Sequence, residues 1–284
     1  MPLYRPSELK EFLILNGINP KKALSQNFLI DGNVLKKIVD ISKIEKNEII
    51  LEIGPGPGAL TEQLIEAKAQ IIAVEKDEEL FRLLPRLDES NKQLHLFNDD
   101  IMRFPIEKTL LSFLQKDKKA KVIANLPYHL TTPILEKIMP MNHIFSKIIV
   151  MVQDEVARRF VAQPGSPEYG SFTVFLNYYS NPHYAFQVKR NSFFPAPKVD
   201  SAIVVLDLHP SLKVSDEHKF FEFTRRAFQT RRKMLKKSLS ELYPKELITK
   251  VLGDLSINPL IRPEELSIHS FIEIFELLYP HRID

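Results

Sequence analysis

The apolar run Ile49-Ile50-Leu51 passes into Glu52-Ile53-Gly54-Pro55-Gly56-Pro57-Gly58 and then into a helix-forming stretch over residues 59–67. Strand, glycine turn and helix in that order make the first βα unit of a nucleotide-binding sheet. Such a unit constrains everything after it. A parallel neighbour is reached only through a crossover of a dozen or more residues, so further strands and helices must alternate behind it. Residues 48–53, 70–75, 93–97, 121–124 and 147–152 read as those strands, separated by helical patterns. The alternation predicts an α/β fold, a parallel sheet with helices on both faces. Residues 201–208 read as a late strand behind a stiff loop, Phe193-Phe194-Pro195-Ala196-Pro197, whereas 171–179 fits strand and helix equally. Beyond His209-Pro210 only helical patterns remain, from residue 216 to about 278. The expected division is a sheet domain over 1–209 and a small all-helical domain over 210–284. Ahead of the sheet lie a short helix at 8–16, a basic arm at 21–29 and a helix capped by Asp31.

The second strand ends at Glu75, about 20 residues past the first glycine, where nucleotide-binding sheets place an acid for the ribose. The turn itself argues against a dinucleotide. A pyrophosphate needs backbone N–H donors, and Pro55 and Pro57 remove two of them, while the third glycine comes one position too early for GxGxxG. S-adenosyl-L-methionine carries ribose and adenine without phosphate, and its sulfonium is a cation. A glycine turn lined by carboxylates suits it, with Glu75 on the ribose hydroxyls.

Asn125-Leu126-Pro127-Tyr128 closes the apolar run Val122-Ile123-Ala124 and precedes a helical pattern, which sets two carbonyl acceptors and an aromatic plate at a strand tip. An adenine amine is a poor nucleophile because its lone pair is delocalised into the ring. The Asn125 side-chain oxygen and the Leu126 carbonyl, fixed by Pro127, could accept both N–H groups and draw that nitrogen toward tetrahedral geometry. Tyr128 could stack on the base, a contact of roughly 1 to 3 kcal/mol. Alone, these four residues are better read as a strand ending in a proline turn with a buried tyrosine.

They do not stand alone. Leu24-Ser25-Gln26-Asn27-Phe28-Leu29, the turn from Glu52 to Thr61, Val74-Glu75-Lys76-Asp77, Asp100, the Asn125 tetrad, Phe194-Pro195-Ala196-Pro197-Lys198-Val199-Asp200-Ser201 and Arg231-Arg232-Lys233 occur in this order. With that set the chain resembles the KsgA (RsmA) family of ribosomal RNA small-subunit adenine dimethyltransferases over nearly its whole length. The resemblance implies a Rossmann-like S-adenosylmethionine-dependent methyltransferase sheet followed by a small helical RNA-binding domain. It implies that Asn27, Leu29, Gly54, Gly56, Glu75, Asp100 and Asn125 contact S-adenosylmethionine, with Asp100 facing the adenine amine. It also implies that Asn125, Leu126, Pro127, Tyr128 and Phe194 surround a flipped adenosine. The substrate it implies is a pair of adjacent adenosines in the 3′-terminal hairpin loop of small-subunit ribosomal RNA, each dimethylated within the immature small subunit. His129 departs from the family's expected asparagine, and Met234 from its threonine. A large-subunit RNA dimethyltransferase of the antibiotic-resistance type shares the turn and a similar Asn-Ile-Pro-Tyr tetrad. The matches through Ser201 and at Arg231 to Lys233 favour the small-subunit reading. An assembly factor that chiefly binds the immature subunit is a third reading, compatible with a double role.

Between residues 225 and 237 there is no acid, and Arg225, Arg226, Arg231, Arg232, Lys233, Lys236 and Lys237 all fall there. The cations read as phosphate contacts and the interleaved Phe221, Phe223 and Phe228 as core. Lys21-Lys22, Arg158-Arg159 and Lys189-Arg190 could extend the footprint. The eight histidines show no metal spacing, so no metal is expected. The absence of cysteine excludes disulfides, thiolate ligands and a cysteine nucleophile. No apolar run approaches the ~20 residues that span a bilayer, and residues 1–10 carry no hydrophobic leader. The expectation is a cytoplasmic monomer without a membrane partner.

Overall fold

The computed structural model describes residues 3–21, 24–90, 92–230 and 233–282. Its strands are β1 (Phe28–Leu29), β2 (Ile49–Ile53), β3 (Gln70–Glu75), β4 (Leu94–Asn98), β5 (Ala120–Asn125), β6 (Phe145–Gln153), β7 (Ser180–Val188), β8 (Phe193–Phe194) and β9 (Ser201–Leu208). The chain forms two compact units, Met1–Ala157 with His183–His209 and Arg158–Pro182 with Pro210–Asp284.

The first unit is built on a seven-stranded sheet of order β4-β3-β2-β5-β6-β9-β7. Strands β2 to β6 pair in parallel, and β9 runs antiparallel to β6. The apolar runs become strands because both sheet faces are covered: Ile50, Leu51, Ile71, Ile72, Val122 and Ile148 are fully buried. The chain passes from β2 out to β3 and β4, then returns to place β5 on the other side of β2. That reversal opens a crevice at the carboxyl ends of β2 and β5, where ligands bind in open α/β sheets. β1 and β8 make a separate two-residue ribbon with Phe28 opposite Phe194. The expected stiff loop therefore begins as a strand, because Phe193 and Phe194 find backbone partners in Leu29 and Phe28.

Lys121 on β5 ties this unit together from within. Its buried ammonium donates to the carbonyls of Ser42 and Lys43, each at 2.9 Å, and pairs with Glu48 at 2.9 Å. The end of the helix Gly32–Ser42, whose other end is capped by Asp31, is thereby fixed against β5 next to the entry into β2.

The second unit is helical. The ambiguous segment is a helix, Ser171–Tyr179, and it packs with Glu217–Gln229. Its Tyr178 ring lies 5.1 Å from Phe221, and the Tyr179 hydroxyl donates to Glu217 at 2.5 Å. This aromatic packing is why Arg158–Pro182 joins the residues after 209, where the sequence reading placed a single boundary. Phe221 and Phe223 are buried and Phe228 packs on Phe271, so the phenylalanines of the basic run serve the core.

Lys121→Met should lower the unfolding free energy by about 3 kcal/mol, because Glu48 and two carbonyls lose a buried partner. Urea unfolding measures it. A loss under about 1 kcal/mol, the size of a surface ion pair, would show that this contact does not hold the unit together.

Candidate active site

The glycine turn leaves no amide for a phosphate. Gly54 and Gly56 have φ of 66° and 59°, and at Gly58 a Cβ would run into Leu87. The Gly54 N–H donates to the Val74 carbonyl at 2.9 Å, that of Gly56 to Glu75 Oε2 at 3.0 Å and that of Gly58 to the Pro55 carbonyl at 3.0 Å. The prolines between them have none. Where a dinucleotide site presents N–H groups outward, this turn uses every one on the protein.

Four strand tips face one cavity in the first unit. Gly54 and Gly56 reach it from β2, Glu75 from β3, Asp100 from the turn after β4 and Asn125 from β5. Asn27 and Leu29 line it from the arm, and Leu126, Pro127 and Tyr128 complete the β5 side. The structure thus brings together every residue expected at the cofactor and four of the five expected at the adenosine. Phe194 is the fifth, and it is not among the lining side chains. It is drawn into the β1–β8 ribbon opposite Phe28, and the Lys10 ammonium lies 5.1 Å over its ring.

The carboxylates of the cavity differ in charge state because they differ in partners. Glu75 is buried, and burial raises its carboxyl; its Oε2 accepts the Gly56 amide and its Oε1 the Asp77 amide at 2.8 Å. Glu52 is 1% exposed. Burial first, and then the charge of Glu75, push it up to about 8 against the opposing hydrogen bond from Thr61 at 2.8 Å. It is therefore mostly neutral near pH 7. Asp100 is held below the usual range by Lys76 at 2.9 Å and by the Met102 amide. Four acids line the cavity, Glu52, Glu75, Asp99 and Asp100, against one lysine, Lys76, which is paired with Asp100, so a cation can recruit negative charge here that an apolar pocket lacks. These donors and acceptors fit a phosphate-free, positively charged nucleoside.

The Asn125 amide has a fixed orientation. Its Nδ2 donates to the main-chain carbonyl of Asn27 at 3.2 Å. A carbonyl only accepts, so the amino side of the amide must face Asn27 and the Oδ1 acceptor is left for a ligand. Tyr128 is held at its far end by a hydrogen bond with Ser201 at 2.7 Å, and burial raises its phenol. Its ring is thus positioned without using its face.

Two residues escaped the sequence reading. Glu52 had a signal, an acid inside an apolar strand, which has to be paired or neutral. Asp77 had none. It is 3% exposed and accepts Lys21 Nζ at 2.9 Å and Gln26 Nε2 at 2.7 Å. Burial would raise its carboxyl, but these two hydrogen bonds hold it below the usual range.

In the second unit Arg225 is exposed and lines a surface groove with Arg226. Arg226 pairs with Glu241 and Gln229, so an acid from beyond the basic run already meets its charge. Lys233 is exposed and Lys236 half-buried. Arg231, Arg232 and Lys22 lie outside the described residues. Among the described residues there is no group of three His, Cys, Asp or Glu placed to hold a metal, and no helix is long and apolar enough to cross a membrane.

Residues 17–279 match the family described as ribosomal RNA adenine dimethylase. The chain belongs to that family. It is an enzyme of the ribosomal RNA adenine dimethylase family: a ribosomal RNA small subunit methyltransferase A from Protochlamydia amoebophila is 53% identical over 279 residues, 98% of each chain.

 The family match takes in 263 of the 284 residues. A second protein of the same description, from Chlamydia caviae, is 44% identical over 96% of this chain and 97% of its own. Among solved structures, a dimethyladenosine transferase from Plasmodium falciparum superposes with a TM-score of 0.78 over 90% of this chain and 100% of that one, at 23% identity. The 23S rRNA methyltransferase ErmE does so at 0.69 over 89% and 100%, at 21% identity. At those identities the two structures speak for the family fold, a mostly parallel sheet with flanking helices.

Glu52 ties stability to pH. Between its ordinary value of 4.5 and about 8 the native protein holds a proton that the unfolded chain has released. Its contribution is therefore full below 4.5 and is lost as pH rises through about 8. Glu52→Gln keeps an acceptor for Thr61 and cannot ionise, so its stability relative to the parent should rise from about pH 5 to about pH 8.5. Urea unfolding across that range checks this. Parallel curves for the two proteins would mean that Glu52 is charged in the native state.

Proposed function

We propose that this enzyme uses S-adenosyl-L-methionine to dimethylate the exocyclic amino groups of two adjacent adenosines in the 3′-terminal hairpin loop of small-subunit ribosomal RNA. We place the reaction on the immature small ribosomal subunit, in the cytoplasm, with a monomeric enzyme and no metal. The observation that carries this reading is one cavity in which acids and a glycine turn with its amides engaged meet an Asn125 amide whose nitrogen is already bonded. The relatives at 53% and 44% identity, described as small subunit methyltransferases, favour the small subunit as substrate.

In this reading Asn27, Leu29, Gly54, Gly56, Glu75, Asp100 and Asn125 hold the cofactor. Glu75 has both oxygens on backbone amides, yet a carboxylate offers about four lone-pair sites, so it can still accept from ribose hydroxyls. Asp100 is ionised and accepts from the cofactor's adenine amine. Bound there, S-adenosylmethionine supplies an electrophilic methyl group. Asn125 Oδ1 and the Leu126 carbonyl accept the two N–H groups of the target amine, and Pro127 keeps that carbonyl rigid. Tyr128 stacks on the base, and Phe194 takes part once Lys10 leaves its ring. Unstacking the target costs a few kcal/mol, least for a loop base. Most of the acceleration comes from holding amine and methyl in line. The alkylated amine is a strong acid and loses its proton to water, so Asn125 orients and does not act as a base. For the second transfer a single N–H remains to be held. Arg225, Lys233 and Lys236, with Arg231 and Arg232, contact RNA phosphates, and Arg226 joins them only by giving up Glu241.

Incubation with labelled S-adenosylmethionine and separate immature small and large subunits, followed by mapping of the modified nucleotides, tests the reading. Label on two adjacent small-subunit adenosines is expected; label confined to the large subunit, or none, overturns it. Asn125→Ala should cut turnover at saturating cofactor on the order of a hundredfold, because the lost acceptor matters chiefly as the amine rehybridises. Subunit binding should stay near the parent's. Near-parental transfer would reduce the tetrad to a turn.

A further inference from the structure

The arm meets the Asn125 tetrad at two points. The Asn27 carbonyl accepts from Asn125 Nδ2 at 3.2 Å, and Ser25 Oγ is hydrogen-bonded to His129 Nδ1 at 3.0 Å. Between them the Asn27 side chain donates to the Ser25 carbonyl at 3.0 Å, so residues 25–27 fold back on themselves. Ser25 has a φ of 52°, a left-handed conformation that a residue with a side chain keeps only when its surroundings impose it. Here those surroundings are the bonds to His129 and Asn27.

The same arm is fastened independently elsewhere. Lys21 and Gln26 both donate to Asp77, two residues beyond Glu75. One tether thus serves the β3 side of the cavity and the other the β5 side. They hold different neighbours in place.

We propose that the Ser25–His129 pair is a latch that positions Asn125 for methyl transfer, by keeping the Asn27 carbonyl on the amino side of the Asn125 amide. This rests on the role given to Asn125 above. With the latch closed, turning the amide over would set its oxygen against the oxygen of Asn27, so Oδ1 stays toward the target amine. With the latch open, the carbonyl is free to withdraw and both amide orientations become available. In the wrong one an N–H donor faces the N–H groups of the substrate, and no acceptor is left to align them. Ser25 and His129 are accordingly positioning residues. They act through Asn27 and Asn125.

Three variants separate this from a merely structural contact. His129→Ala removes the ring, and Ser25→Gly removes the whole hydroxymethyl side chain while suiting the left-handed backbone. His129→Asn keeps a hydrogen-bonding atom close to the position of Nδ1. In ligand-free protein, amide exchange over residues 24–29 should quicken in the first two variants and return toward the parent in the third. Turnover at saturating cofactor and subunit should fall on the order of tenfold in the first two, the size of one lost hydrogen bond, with recovery in the third. The dissociation constant for S-adenosylmethionine, read by calorimetry, should rise by no more than about threefold, because only the contacts of Asn27 and Asn125 loosen while Glu75 and Asp100 keep theirs.

Parental exchange and turnover in His129→Ala and Ser25→Gly would overturn the latch. So would a loss of cofactor affinity as large as the loss of turnover, since the pair would then serve the cofactor instead of Asn125. If the parent itself methylates no ribosomal RNA, the reading of function fails by that control. The exchange measurement still decides whether the pair holds the arm.

Discussion

Both oxygens of the Glu75 carboxylate accept main-chain amides, one from the glycine turn and one from the start of the next loop. The site depends on that arrangement. Burying a carboxylate is costly, and bonds from two backbone amides offset part of that cost here, although burial still raises the group. The Gly56 bond shapes the turn and consumes its central amide. The Asp77 bond aims the following carboxylate at Lys21 and Gln26, which fastens the arm. The arm then lays the Asn27 carbonyl against Asn125. A short series of hydrogen bonds therefore connects the acid at the end of β3 with the amide at the end of β5.

The sheet makes this economical in chain length. Because β2 lies between β3 and β5, three strand tips converge although they are far apart in sequence. Each tip contributes one kind of group: a turn with its amides used internally, an acid, and an amide followed by a rigid Leu-Pro carbonyl. The acids are graded by their surroundings. Glu52 is kept mostly neutral by burial, whereas Asp100 is kept ionised by Lys76. The cavity can thus be acidic without the repulsion that ionisation of all its carboxyl groups would create.

Much of this was legible in the sequence, for local reasons. Fully buried parallel strands are continuous apolar runs, so β2, β3, β5 and β6 could be read directly, and the residues at their tips follow from the fold class. β7 was missed. It carries Pro182 and alternates between exposed and half-buried positions, the pattern of an edge strand. The helix Ser171–Tyr179 was ambiguous because an apolar segment that is buried along most of its length loses its period. Phe194, Asp77 and the Ser25–His129 pair were beyond reach for another reason. Their settings come from contacts between residues tens to more than a hundred positions apart, and no local pattern encodes those.

A crystal structure of the protein with S-adenosylmethionine bound tests the central claim most directly, that the cavity holds a phosphate-free cationic nucleoside between Glu75 and Asn125. The expected result has the ribose hydroxyls within hydrogen-bonding distance of Glu75 and the adenine amine at Asp100. The methyl group should lie on the Asn125 side, with the Asn125 amino group still on the Asn27 carbonyl. A cofactor bound elsewhere, or one that leaves Glu75 without a ribose contact, would contradict it. So would an Asn125 amide turned to present its nitrogen to the methyl side.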